Sequence, residues 1–284
     1  MLATLLTAAL LTAGPPWRRV LGLALAIAAA LWPLTISAPP LQHFLLTIFS
    51  FWAAARVLDL ARETRPLSPL HRVVHILVLL DTRPLQPVPP ALDRRALVRG
   101  PVWGAVAALA LHHALSAPHL PRWALGALFV YALAEAANNL GHAVLAALGR
   151  KTPPLHRTPI AACSLKEFWG ERWNLPVSRW LRAHFFLPLA RRRHPYLGVA
   201  SAFLASAALH AWVVGVPLGP AMAASMAAYF LIQAALMALE VRLGVARWTE
   251  PAGWAWTMAC VLVPSPLFLE PLLRVFAPAA AALV

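Results

Sequence analysis

Residues 197–216 read LGVASAFLASAALHAWVVGV, a run in which Ser201, Ser206 and His210 are the polar interruptions. A helix crosses a bilayer with about 20 predominantly apolar residues, so this run is a complete span by itself. Six further runs meet or approach that length, at 20–37, 41–61, 101–117, 122–149, 221–241 and 253–280. The opening MLATLLTAALLTAG has no basic n-region and is followed closely by the next apolar run, so it reads as a short first helix and not as a signal peptide. The fold class is therefore all-α, a polytopic transmembrane helical bundle of about eight spans. Pro264, Pro266 and Pro271 predict a kink or break in the last of them.

Composition agrees. The chain of 284 residues is 61% hydrophobic and 12% charged, with a mean hydropathy of +0.68, against about 25% charged in soluble domains. The net charge of +14 does not imply nucleic acid, because the basic residues are separated by apolar runs and form no single face. It reports topology instead. Lys and Arg gather on the cytoplasmic side, and here Arg18 and Arg19, seven arginines from Arg62 to Arg99, ten basic residues from Arg150 to Arg193, and Arg242 with Arg247 fall in alternate loops. The loops between them hold only Arg122. Both termini then point outward, and the chain divides into N-terminal transmembrane helices (1–149, with a basic cytoplasmic loop at 62–100), a basic interfacial loop (150–196) and C-terminal helices (197–284). Residues 70–81, LHRVVHILVLLD, are too short to span and lie at the interface or re-enter the membrane. Only two basic residues are Lys, and abundant Ala, Pro and Arg point to a bacterial inner (cytoplasmic) membrane.

Within the basic loop stands SLKEFWGERWNLPVSRW, residues 164–180. Ser164 and Glu167 have the spacing of a capping box, so a helix starts there, and Pro176 limits its end. On such a helix Leu165, Phe168, Trp169 and Trp173 share one side, while Lys166, Glu171 and Arg172 point elsewhere. This is the build of an amphipathic segment at the cytoplasmic membrane surface, and from the residues alone a tryptophan-anchored loop is the favoured reading.

Two intramembrane features carry potential chemistry. His210 sits well inside its span, where an ionisable residue is costly and marks a functional site by default; an interhelical hydrogen bond is the competing reading. Its unperturbed pKa of about 6.5 suits a general base, and Ser206 stands one turn earlier. In YALAEAANNLGHAV, residues 131–144, the side chains of Glu135, Asn138, Asn139 and His142 fall on one helical stripe that cannot face lipid. The stripe either lines a reaction chamber or bonds to neighbouring helices. Arg179, Arg182, Arg191, Arg192 and Arg193 suit phosphate oxygens or anionic headgroups. His71 with His75, and His112 with His113, lack ligand-spaced partners and read as structural. Cys163 and Cys260 offer no disulfide framework or zinc spacing. No phosphate-binding or dinucleotide glycine pattern is present, and no metal site is expected.

The run SLKEFWGERWN, followed by LRAHFFLPL and SAFLASAALHAW, resembles the signature of the wax synthase branch of the membrane-bound O-acyltransferases, over about residues 155–215. The resemblance implies an enzyme that moves an acyl group from acyl-CoA to the hydroxyl of a lipophilic alcohol, with no bound cofactor and with membrane lipids as surroundings. It makes His210 and Asn174 the catalytic pair. Phe168, Trp169, Arg172 and Trp173 of the motif, with Arg179 and Arg182, then belong to substrate binding, as do Glu135, Asn138, Asn139 and His142 of the stripe. Glu171 and Ala211 depart from the pattern, standing where family members often have a basic and an acidic residue, and Glu135 is the candidate to replace the missing acid. A helix cap is the competing reading for Asn174. The alternatives in function are short-chain acyl transfer to a small hydroxylated metabolite, or a non-enzymatic lipid transporter. The motifs themselves name no acceptor, acyl length or oligomeric state.

Overall fold

The computed structural model describes residues 1–77, 81–83, 85–151 and 153–281, with the side chains of 279 and 281 left out. The chain forms two compact units, Met1–Leu85 and Gln86–Val284. The division falls inside the arginine-rich loop and not after residue 149, because the helices on either side of residue 149 pack with the later ones.

The first unit comprises α1 (Leu2–Leu11), α2 (Pro16–Leu31, continued by a 3₁₀ turn over Trp32–Thr35), α3 (Pro40–Arg62) and α4 (Pro69–Leu77). Leu5, Ala8, Ala9, Ala26, Ala29, Ala53, Val57 and Leu60 form its core. At ten residues α1 is about 15 Å long, half the hydrocarbon thickness. The arginine-rich loop folds partly back into this unit, because Asp59 of α3 is buried and a buried carboxylate requires partners. Arg56 lies 2.9 Å from Asp59 and Arg83 lies 3.4 Å from it, while Arg72 donates to Thr12 Oγ1 at 2.7 Å. His75 lies 3.9 Å from Asp59 and 4.0 Å from Asp81, acidic neighbours that its spacing in the sequence does not disclose. In α4 the polar Arg72 and His75 face inward while Leu70, Val74 and Leu77 are exposed, the inverse of a soluble amphipathic helix. Residues 78–80 of the expected interfacial segment lie outside the described residues.

This network is expected to make the first unit acid-sensitive. Burial, reinforced by the Arg56 charge, pushes the His75 imidazole down to about 4 against the pull of Asp81 and Asp59. Burial opposes ionisation of Asp81, but hydrogen bonds from Arg83 outweigh it and bring the carboxyl to about 2; Glu63, bonded by Arg65, also falls to about 2. A histidine with a lowered folded pKa stabilises fully above about pH 6.5, and that contribution, on the order of 3 kcal/mol, is lost as pH falls toward 4. The carboxylates, lowered from their ordinary values, add a second loss further into acid. Thermal unfolding of the detergent-solubilised chain is expected to show a midpoint that declines below pH 6.5, and His75→Gln is expected to abolish that upper limb. A decline unaltered in His75→Gln would assign it to other groups.

The second unit contains α5 (Arg94–Ser116), α6 (His119–Ala147), α7 (Leu165–Glu167), α8 (Leu175–Leu181), α9 (Leu187–Ala190), α10 (Pro195–Leu218), α11 (Pro220–Leu243), α12 (Glu250–Leu262) and α13 (Pro266–Ala281), with a two-residue antiparallel pairing of β1 (Gln86–Pro87) and β2 (Arg150–Lys151). Small residues let α5 and α6 approach closely: Ala107, Ala110 and Ala114 pack with Phe129, Ala132 and Leu273. Arg122, the lone basic residue of its class of loops, pairs with Glu270 at 2.9 Å and bonds the carbonyl of Ala114. The proline-rich last run breaks as expected, α12 and α13 meeting at 49°.

Among the described residues four helices are long and apolar enough to cross a membrane, at Pro16–Thr35, Pro40–Arg62, Pro195–Leu218 and Pro220–Leu243, and five with the bent pair counted as one span. The all-α membrane architecture is thus present, with α5 and α6 long but more polar, and the expectation of eight spans exceeds this count.

Candidate active site

The Ser164–Glu167 cap forms. Ser164 Oγ accepts from the Glu167 N–H at 3.1 Å, and the Glu167 carboxylate reaches back to the Cys163 N–H at 2.7 Å. Burial opposes the charge on Glu167, but the Cys163 N–H and the Arg172 guanidinium hold its carboxyl below the usual range. The helix that starts here does not run to Pro176. After Leu165–Glu167 the chain widens into a π-turn over Phe168–Arg172, Trp173 N–H donates to Phe168 O at 2.8 Å, and the backbone leaves the helix through extended Trp173 and left-handed Asn174. Pro176 opens α8 instead of ending its predecessor, because the first turn of a helix needs no N–H from it. A π-turn is uncommon and concentrates at functional sites.

Leu165 and Phe168, expected on the apolar side of a membrane-surface helix, are buried within the protein, and the segment is pinned from α11 and α12. Glu240, buried on α11, accepts from the N–H of Leu165 at 2.6 Å, of Lys166 at 3.2 Å and of the Trp256 indole at 3.2 Å. Gln233, fully buried one stretch earlier on α11, accepts from the Trp169 indole at 3.2 Å and donates to Cys260 O at 2.8 Å. Gly253 of α12 meets the Cys163 carbonyl so closely that a Cβ there would lie 2.5 Å from the oxygen.

These contacts place the motif over a cavity of about 1260 Å³. Phe203, Tyr229, Phe230, Met237 and Phe268 make its interior largely apolar, whereas Lys166, Glu171 and Arg182 line it from exposed positions. Asn174 and His210 both line it. The His210 ring lies on Phe230 with centroids 4.0 Å apart. Its Nδ1 is 2.7 Å from the Ser206 carbonyl oxygen and 3.4 Å from Ser206 Oγ. A carbonyl oxygen only accepts, so Nδ1 carries the proton and Nε2 keeps its lone pair. The ring itself lines the cavity. The Asn174 side chain makes no hydrogen bond to the start of α8, while its left-handed backbone directly after Trp173 is the geometry of a C-terminal helix cap, so the cap reading holds for the backbone and leaves the amide uncommitted.

Other expected site residues lie elsewhere. Phe168, Trp169 and Trp173 line the cavity, but Arg172 does not; its guanidinium bonds Glu167 at 2.7 Å and the carbonyl oxygens of Arg157 and Thr158 at 3.1 and 3.3 Å. A side chain so engaged is a brace and not a phosphate ligand. Arg182 lines the cavity with its guanidinium over the Phe186 ring, whereas Arg179 is exposed and outside it. Glu135, Asn138, Asn139 and His142 do not line the chamber. Glu135 faces His156 at 2.9 Å and takes the Tyr131 hydroxyl at 3.1 Å, and Asn138 accepts from the Leu155 N–H at 3.0 Å, so these two residues of the stripe meet the following loop and Glu135 does not orient His210. Sequence reasoning passed over Gln233, Glu240, His156 and Tyr131. Gln233 and Glu240, seven residues apart, share a face of an otherwise apolar helix, and that spacing is the signal that finds them.

Residues 152–233 match the model of the Membrane bound O-acyl transferase family. The chain is 28% identical over 140 residues to the probable long-chain-alcohol O-fatty-acyltransferase 2 of Arabidopsis thaliana, over 45% of this chain and 41% of that protein. It is 31% identical over 146 residues to the Arabidopsis thaliana protein numbered 3 of the same description, over 46% and 43%, and 29% identical over 243 residues to that numbered 7, over 78% and 72%. The chain spans less than half the length of the first two relatives.

Proposed function

We propose that this chain, which belongs to the membrane-bound O-acyltransferase family through residues 152–233, esterifies a lipophilic alcohol with the acyl group of acyl-CoA. It is an integral membrane protein, and the proposal places it in a bacterial cytoplasmic membrane with the 164–180 segment on the cytoplasmic side. The observation that carries the reading is the Nδ1 of His210 engaged by the Ser206 carbonyl, on a ring that lines an apolar cavity together with Asn174.

His210 Nε2 takes the alcohol proton as the alcohol oxygen attacks the thioester carbonyl carbon. The Asn174 amide donates to the oxyanion that develops on the carbonyl oxygen. Collapse of the tetrahedral species breaks the C–S bond, and the proton held on His210 passes to the departing sulfur, giving ester and free coenzyme A. The donor's anionic portion remains at the exposed rim by Lys166 and Arg182, and the two chains occupy the apolar interior. A cavity of about 1260 Å³ exceeds the ~300–1,000 Å³ typical of small-ligand sites, which favours long-chain substrates over acetyl transfer to a small metabolite. The wild-type protein, given labelled acyl-CoA of graded length and a panel of alcohols, is expected to form ester with long-chain alcohols and to release one coenzyme A per ester. Absence of ester with every alcohol in a folded preparation would overturn the reading.

The rim assignment makes its own prediction. Arg182→Ala is expected to raise the KM for acyl-CoA about fivefold, the equivalent of one exposed charge interaction, with kcat nearly unchanged because phosphate contacts are alike in ground and transition states. Arg179→Ala, outside the cavity, is expected to alter KM less. Equal effects in the two variants would show that neither arginine contacts the donor specifically.

A further inference from the structure

Asn174 stands at φ 41° and ψ 58°, a left-handed conformation that asparagine tolerates better than other non-glycine residues and that contacts from outside the motif hold in place here. The enforcing contacts come from residues 155–157. The Arg157 N–H donates to Arg172 O at 2.8 Å and the Leu175 N–H donates to Leu155 O at 2.7 Å, so the two hydrogen bonds bracket Trp173 and Asn174. The bracketing segment is itself held by α6. Asn138 takes the Leu155 N–H, and Glu135 Oε1 lies 2.9 Å from His156 Nε2. Asn139 Nδ2 in turn holds Glu135 through its backbone oxygen at 2.8 Å and Oε2 at 3.3 Å. The buried His156 ring lies nearly parallel to Trp173, 6.0 Å away and at 17°, and Trp173 stacks in turn on Phe168 at 6.0 Å and 13°.

These contacts form one chain. It starts at Tyr131, which lines the cavity and donates to Glu135, passes through His156 and Trp173, and ends at Asn174, which lines the cavity again. A loop that needed only an anchor has one in Asn138 and the two backbone bonds. The additional buried histidine lies 2.9 Å from a carboxylate without hydrogen-bond geometry to it, so the contact is one of charge and packing; set behind the residue next to Asn174, it fixes direction more than attachment. We infer that His156 and Glu135 are positioning residues that hold the Asn174 amide over the cavity, an inference that rests on the reading of Asn174 as part of the acyl-transfer machinery.

The test uses the purified full chain with a saturating long-chain alcohol and varied acyl-CoA. His156→Phe keeps a ring against Trp173 but loses Nε2. It is expected to lower kcat on the order of 10²-fold, the effect of misplacing a catalytic group by about 1 Å, while the KM for acyl-CoA changes little. His156→Gln, which restores a polar N–H group beside Glu135, is expected to recover most of the loss. Asn174→Ala should fall comparably, and the double variant His156→Phe with Asn174→Ala should fall no further, since both changes remove one interaction. A folded His156→Phe protein with wild-type kcat beside an impaired Asn174→Ala protein overturns the inference alone, as do losses that multiply in the double variant. Normal kcat in Asn174→Ala overturns the reading beneath it and the inference with it. Should His156→Phe not fold, Glu135→Gln supplies the same comparison from the other side of the contact, with a kcat loss supporting the inference and wild-type kcat overturning it.

Discussion

His210→Ala is expected to lower ester formation by about 10² to 10⁴-fold at saturating donor and alcohol, the usual contribution of a positioned acid or base, while the protein still inserts and folds. Two observations set that expectation. The ring's Nδ1 is committed to the Ser206 carbonyl, so loss of the side chain removes the Nε2 lone pair and no second ring nitrogen can replace it. Alanine also suits a helix in which Ala205, Ala207, Ala208 and Ala211 already stand, so the cost to folding is confined to the lost contact with Phe230 and one side-chain hydrogen bond. In the proposed mechanism the Asn174 amide and the binding contacts remain and supply the residual rate. The proposed mechanism has His210 and Asn174 act on one transition state, so the double variant is expected to fall little below the worse single variant. The control is His113→Ala, an exposed residue of α5 outside the cavity, which should retain turnover. Near-normal ester formation by a folded His210→Ala protein, or equal losses in the two variants, would remove His210 from the mechanism.

What the sequence discloses about this molecule follows from how local each determinant is. The apolar runs became helices near their expected ends because hydropathy is carried by the run itself, and the Ser164–Glu167 cap formed because both partners lie within one turn. The break near Pro264 was equally local. The π-turn and the left-handed Asn174 were not legible, since residues 155–157 enforce them and no periodicity within 164–180 reports those contacts. The same turn changed the fate of Arg172. It stands five residues after Glu167, a separation that an α-helix turns apart and a π-turn brings together, so a residue assigned to substrate became a brace. The stripe of Glu135, Asn138 and Asn139 was rightly excluded from lipid, yet periodicity identifies a face and not its partner. The partner proved to be the next loop, with His156 at its centre, where a cavity had been expected. In the first unit His75 gained its acidic neighbours only through the return of Asp81 and Arg83 to the helix that carries Asp59.

Glu240→Ala is expected to destabilise the second unit by about 3 kcal/mol and to lower turnover on the order of 10²-fold, by releasing the motif from α11. The carboxylate is buried and accepts from two backbone N–H groups at the start of the motif and from the Trp256 indole. Replacement by alanine strands donors that each cost about 1–3 kcal/mol when left unsatisfied, and the negative charge at a helix start is lost with them. Glu240→Gln keeps one acceptor oxygen and is expected to fall between wild type and alanine. Ser164→Ala, which removes only the local cap, should cost about 1 kcal/mol and leave the α11 clamp in place. Release is detectable apart from global unfolding. Cys163 precedes the cap and is partly covered, and its carbonyl is packed against Gly253; in a Cys260→Ala background its alkylation rate should therefore rise in Glu240→Ala at temperatures well below the unfolding midpoint. If alkylation stays at the wild-type rate while turnover falls, Glu240 acts on the reaction by a route other than holding the motif. If stability, alkylation and turnover are all unchanged, the clamp from α11 does not hold the motif, and Gln233 with Trp169 is left to fix its place over the cavity.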